Sequence, residues 1–154
     1  MPTVVLENLN ALKRFEGQEL GVTDWFRLTQ QRIQQFAEAT EDRQWIHLDR
    51  ERAERESPYG TTIAHGFLTL SLVSFLMKEA IQIQSGVRMA VNYGLNRVRF
   101  PSPVRAGSNI RAHFTLLALK EVSGAMEAVF AVQIETDESQ KPCCAAEWVV
   151  RYYS

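Results

Sequence analysis

The sequence predicts an α+β fold in which an antiparallel sheet curves around one long hydrophobic helix. Residues 65–84 read as a helix with no polar face in its first three turns, and such a helix must be wrapped on every side. The residues from 87 onward read as four or five strands joined by short turns, which supplies the wrapping. A length of 154 residues, 45% of them hydrophobic, is ample for one core, so residues 1–154 are expected to form one domain.

The elements follow in order. Residues 20–28 are rich in β-branched and aromatic side chains and read as a strand. Thr29 is a good N-cap for a helix over 30–39, where Ile33, Phe36 and Ala37 recur at helical spacing. Residues 40–49 have no clean period. A short polar helix over 50–56 is ended by Ser57-Pro58-Tyr59-Gly60. The core helix then carries Phe67, Leu68, Leu70, Leu72, Val73, Phe75, Leu76 and Met77. At 20 residues it would be about 30 Å long.

Val87, Met89, Val91, Tyr93 and Leu95 alternate as in a strand. The apolar parity switches at Val98 and Phe100, so a bulge is expected near 94–97. Three more strands show even-numbered apolar residues: Ile110 to Ala118, Met126 to Ile134 and Cys144 to Tyr152. Residues 122–125 and 137–142 are the hairpin turns between them.

Composition removes several function classes. Seventeen Lys plus Arg against eighteen Asp plus Glu leaves no basic excess, which argues against a nucleic-acid partner. The apolar run 63–77 is too short for a membrane span, which needs roughly 20 residues, and it contains His65. The opening Met1-Pro2-Thr3-Val4-Val5-Leu6-Glu7-Asn8 lacks the features of a signal peptide. Cys143 and Cys144 are adjacent, with neither relaxed disulfide geometry nor metal-ligand spacing, and a reducing cytoplasm fits. Dinucleotide, nucleophile-elbow, phosphate-loop and zinc-peptidase motifs are absent, so no cofactor is expected. A metal site of His47, Asp49 and His65 is disfavoured, because hard cations want more carboxylates and structural zinc wants cysteines or four good ligands.

Two stretches could carry chemistry. Asp42 and His47 are a natural acid–base pair. Five positions along a helix rotate a side chain about 500°, which leaves the two roughly 140° apart. They can converge only where the chain leaves helical geometry, and the aperiodic 40–49 stretch permits that. The plain alternative has Asp42 capping the next turn and His47 packing under Trp45. The second stretch, Ile63-Ala64-His65-Gly66-Phe67-Leu68, opens the core helix. First-turn N–H groups beside a glycine can receive an anionic oxygen, as an oxyanion site does. Close packing at Gly66 and capping by His65 are the plain alternatives.

Three motifs in order carry a resemblance. They are Thr40-Glu41-Asp42-x4-His47-x-Asp49, Pro58-Tyr59-Gly60-Thr61-Thr62-Ile63-Ala64-His65-Gly66-Phe67-Leu68, and Tyr93-Gly94-Leu95-Asn96-Arg97-Val98-Arg99-Phe100-Pro101-x-Pro103-Val104. Together they resemble the MaoC-like dehydratases, which include the (R)-specific enoyl-CoA hydratases and the nodulation-protein-N-like branch. The resemblance runs from about residue 20 to the C-terminus. It implies a hot-dog fold, a homodimer or larger homo-oligomer, and reversible syn addition of water to a trans-2-enoyl-CoA, giving an (R)-3-hydroxyacyl-CoA. It implies that Asp42 and His47 are catalytic, that the Gly66 N–H binds the thioester oxygen and that Ser74 lines the substrate pocket. Many hydratases carry Asp-x-Asn-Pro-x-His, whereas Gln44 and Trp45 stand here in place of Asn and Pro.

The acyl chain is expected against the core helix, near Phe67, Leu70, Ser71 and Ser74. Arg97 and Arg99 would share one face of a strand, with Arg105 near in sequence, and could hold coenzyme A phosphates; solvated surface arginines are the alternative. An edge strand and outward apolar residues such as Val149 and Tyr153 suggest self-association. Two other functions compete: an acyl-CoA thioesterase on the same fold, and a non-catalytic acyl-thioester-binding module.

Overall fold

The computed structural model describes residues 2–154. A six-stranded antiparallel sheet curls over a helical layer, the architecture the periodicity predicts. The chain begins with β1 (Val4–Leu6), a 3-10 helix (Leu9–Phe15), β2 (Glu19–Val22) and β3 (Phe26–Arg27). Three helices follow, α1 (Gln30–Thr40), α2 (Trp45–Leu48) and α3 (Arg50–Glu56), and then the core pair α4 (Gly66–Ser71) and α5 (Val73–Ala80). The remainder is β4 (Ile81–Ile83), β5 (Met89–Arg99), β6 (Asn109–Val122), β7 (Ala125–Thr136) and β8 (Ser139–Tyr153). Sheet order is β2-β6-β7-β8-β5, with β3 also pairing β6. No helix among the described residues is long and apolar enough to cross a membrane.

The even-numbered rule holds where strands have neighbours on both sides. Ile110, Ala112, Phe114, Leu116, Ala128, Phe130, Val132, Ile134 and Cys144 are all buried on the inner face, against Leu68, Val73, Leu76 and Met77 of the helices. It fails at Ala118, which is exposed because a bulge between Leu116 and Ala118 shifts the register. Cys143 and Cys144 are both buried, and burial raises their thiols to about 12 and about 11.

The expected 20-residue helix is shorter and broken. It spans Gly66 to Ala80 with an irregular turn at Leu72, and Ile81–Ile83 is a strand rather than helix tail. The two β-branched isoleucines find a parallel partner in Val4–Leu6, a segment to which the sequence patterns assign no element. Leu6, Leu9 and Leu12 of that N-terminal segment are buried in the core. The predicted 20–28 strand divides into β2 and β3. The last hairpin turn is tighter than expected, since β8 already pairs at Ser139 opposite Thr136.

The wrapping is also incomplete. Phe67 is 69% exposed and Phe75 41%, so the core helix keeps an open face. β5 forms where alternation predicts it, but Met89, Val91 and Tyr93 are exposed on the edge strand instead of covering the helix. Register shifts occur between Asn92 and Gly94 and again between Asn96 and Arg99. The first sets Leu95 opposite Trp148, on the inner face. Val149, expected outward for self-association, is only 8% exposed, and Tyr153 is half-buried.

Candidate active site

Helix α1 ends because Glu41 takes a left-handed conformation, φ 65°, and the chain runs irregularly through 42–44 before α2 begins at Trp45. This is the departure from helical geometry that Asp42 and His47 require. A carboxylate oxygen of Asp42, one ring nitrogen of His47 and one of His65 lie within 4.8 Å of one another. Asp42 is exposed, whereas His47 and His65 are 6% and 3% exposed. The Asp42 side chain does not cap the next turn. Gln44, not Asp42, is the N-cap of α2, and it makes no side-chain cap bond. His47 packs against the His65 ring, with centroids 3.8 Å apart and planes 21° from parallel.

Hydrogen bonds fix the His47 tautomer. Its Nδ1 lies 2.7 Å from the carbonyl oxygen of Ile63, which can only accept, so Nδ1 carries the proton. Neutral His47 therefore presents an unprotonated Nε2, suited to bind or take up a water proton. The His47 main-chain oxygen accepts from Gln30 Nε2 at 2.8 Å, and the Ile63 N–H donates to the Ile46 oxygen at 3.0 Å. These bonds tie α2 to the start of α1 and to the strand-like 62–64 segment. Burial lowers the His47 pKa from 6.5, helped by the neighbouring His65 and opposed by the Ile63 hydrogen bond and by Asp42. Near neutral pH the ring is uncharged.

Near-parallel stacking of the two rings, 3.8 Å apart, is an unfavourable arrangement for two imidazoles that must both point a lone pair at one ion from about 2.0–2.1 Å. Asp49 is occupied elsewhere, accepting the Arg52 N–H as N-cap of α3.

Gly66 directly follows His65 and opens α4. No side chain caps this helix start, so its first N–H groups lack partners within the helix, as they do wherever a helix begins. A Cβ at Gly66 would sit 3.0 Å from Cγ and Cδ2 of Phe100, so a larger residue here requires the Phe100 ring to give way. The Arg52 guanidinium lies 4.1 Å over the Trp45 ring, and the pair joins α2 to α3.

Ser74 lies apart from the pair, between two cavities under β5. One, of about 270 Å³, is lined by Phe67, Leu70, Leu95 and Trp148. The other, of about 420 Å³, runs on past Met77 to Leu12, Ile83 and Tyr152. Both touch Ser74, Asn92 and Trp148, and Trp148 Nε1 donates to Asn92 Oδ1 at 3.1 Å. Asp42 and His47 line neither; Phe67, next to Gly66 in the first turn of α4, lines the first. Arg97 and Arg99 are exposed at the far end of β5. They do not share a face by simple alternation, because Arg97 sits in the second register shift with φ 53°. Arg105 is engaged by the Tyr59 oxygen and Glu138.

Sequence reasoning missed two members of the site, His65 as a partner of the pair and Gln30 as the anchor of the His47 carbonyl. Both contacts join elements distant in sequence, so no local period signals them.

Similarity to known proteins points to one family. The family model described as MaoC like domain matches residues 13–139, a span that holds Asp42, His47, Gly66, Ser74, Arg97 and Arg99. The 3-hydroxyacyl-thioester dehydratase Z of Mycobacterium tuberculosis is 44% identical over 147 residues, 95% of this chain and 96% of that one. Nodulation protein N of Rhizobium leguminosarum bv. viciae is 43% identical over 134 residues, 86% of this chain and 83% of the relative. The solved (R)-hydratase from A. caviae involved in PHA biosynthesis superposes with a TM-score of 0.71 at 27% identity, covering 88% of this chain and 94% of that one.

Proposed function

Since the chain belongs to the MaoC-like dehydratase family, a family of hydratase and dehydratase lyases, we propose that it hydrates trans-2-enoyl-CoA reversibly to (R)-3-hydroxyacyl-CoA. The observation that carries the reading is the approach of the Asp42 carboxylate to a buried, neutral imidazole of fixed tautomer at His47. Asp42 takes a proton from a water that attacks C3. His47 Nε2 binds the same water, and the proton removed from it is returned to C2 on the same face. The Gly66 N–H stabilises the enolate oxygen that forms in between. General acid–base action typically supplies 10²- to 10⁴-fold, and one oxyanion donor a further 10²- to 10³-fold.

The acyl chain enters past Phe67 into the cavity beside Ser74 and Trp148. Arg97 and Arg99 hold coenzyme A phosphates; their exposure supports this, with Arg99 bonded to the neighbouring Val98 oxygen. A second copy of the chain covers β5 and Phe67, because an edge strand with exposed Met89, Val91 and Tyr93 offers both unpaired backbone and apolar surface. Free thiols at Cys143 and Cys144 fit a cytoplasmic location.

The test is a panel of trans-2-enoyl-CoAs, C4 to C16, with chiral analysis of the product. Loss of enoyl absorbance without release of thiol, yielding the (R)-alcohol, supports hydration. Free CoA released from saturated acyl-CoA would point to a thioesterase, and binding without turnover to an acyl-binding module.

A further inference from the structure

Three observations meet at His65, which the hydration scheme leaves unused. Its ring is 3% exposed and lies between Phe36, with centroids 4.8 Å apart, and His47, with centroids 3.8 Å apart. Its Nε2 lies 2.9 Å from the main-chain oxygen of Asp42. Its other nitrogen, Nδ1, is buried without a hydrogen-bond partner among the described residues. A carbonyl oxygen can only accept, so Nε2 donates the proton in this bond. One residue thus touches both members of the acid–base pair and stands at the N-cap position of the helix that begins at Gly66.

We infer that His65 is a positioning residue for the hydration: its Nε2–H holds the Asp42 main chain, while its ring packs on that of His47. The inference rests on the hydratase reading above and assigns His65 no proton transfer. Its physical basis is that Asp42 needs holding. It follows a left-handed Glu41 in an irregular stretch, and apart from His65 its main chain has, among the described residues, only a long 3.4 Å bond from its own N–H to Thr40 Oγ1. A carboxylate displaced by about 1 Å from a water it must deprotonate loses on the order of 10² in rate. His47, by contrast, is already held by Ile63 and Gln30. The donor to Asp42 is therefore the contact on which the rate depends most.

Two variants separate the donor from the packing. His65→Gln keeps an amide N–H in roughly the place of Nε2 and loses the ring. His65→Phe fills the slot between Phe36 and His47 and loses the donor. A purely structural role ranks Phe at or above Gln in both stability and activity, because the slot is apolar. The positioning role reverses the order in activity alone: His65→Phe melts at or above His65→Gln, yet its kcat falls at least about tenfold below that of His65→Gln, with KM for crotonyl-CoA within about threefold of the parent in both. An active parent with any other order of kcat overturns the role of His65 and leaves the hydratase reading standing. A parent that turns over no enoyl-CoA overturns both.

Discussion

The imidazoles of His47 and His65 stack face to face, 3.8 Å between centroids and 21° from parallel. Protonating both would set two positive charges in contact inside the protein. Burial lowers the His47 pKa from 6.5, and His65 adds to the effect. The unfolded chain therefore takes up a proton at His47 at a pH where the folded chain does not. The associated stability is present above about 6.5 and is lost as the pH falls through the folded-state value. Urea midpoints measured from about pH 7 down to about pH 5 should fall, and fall less in His47→Gln. The hydration rate should decline over the same acid limb, because a protonated His47 cannot accept from water.

Gly66 answers to packing as well as to chemistry. Gly66→Ala pushes a methyl against the Phe100 ring, with contacts of 3.0 Å, at a cost of roughly 1–3 kcal/mol. The N–H survives the change, so adding Phe100→Leu should restore both melting temperature and most of the rate. A Gly66→Ala protein as stable as the parent would show that the ring moves freely and that the close fit constrains nothing.

The open face of β5 makes a prediction about assembly. Val91→Asp with Tyr93→Asp places two charges on the exposed apolar edge. Light scattering should find the parent a dimer or larger and the double variant a monomer. A monomeric parent would remove the second copy from the account.

Much of the fold was legible because strands with two neighbours bury one parity. Ile110, Phe114, Phe130 and Ile134 each recur at the spacing their burial requires. Where a neighbour is missing the same pattern misleads. Met89, Val91 and Tyr93 alternate as well as any core strand, yet they face outward at an edge. Ile81-Gln82-Ile83 was too short to distinguish from the end of a helix, and its partner Val4–Leu6 lies far off in sequence. At the site, the absence of period over 40–49 was itself the signal that Asp42 and His47 could meet. The contribution of His65 was invisible there, because Phe36, His47 and the Asp42 carbonyl come together only through the tertiary packing of α1, α2 and α4.

Replacing Asp42 by Asn tests the central claim most directly. The carboxylate is exposed and makes no side-chain hydrogen bond among the described residues, so the variant should keep the circular dichroism spectrum and melting temperature of the parent. Its initial rate of crotonyl-CoA hydration should drop at least ~100-fold, the loss expected when the base is removed and its shape kept. Turnover close to that of the parent by folded Asp42→Asn would contradict the account.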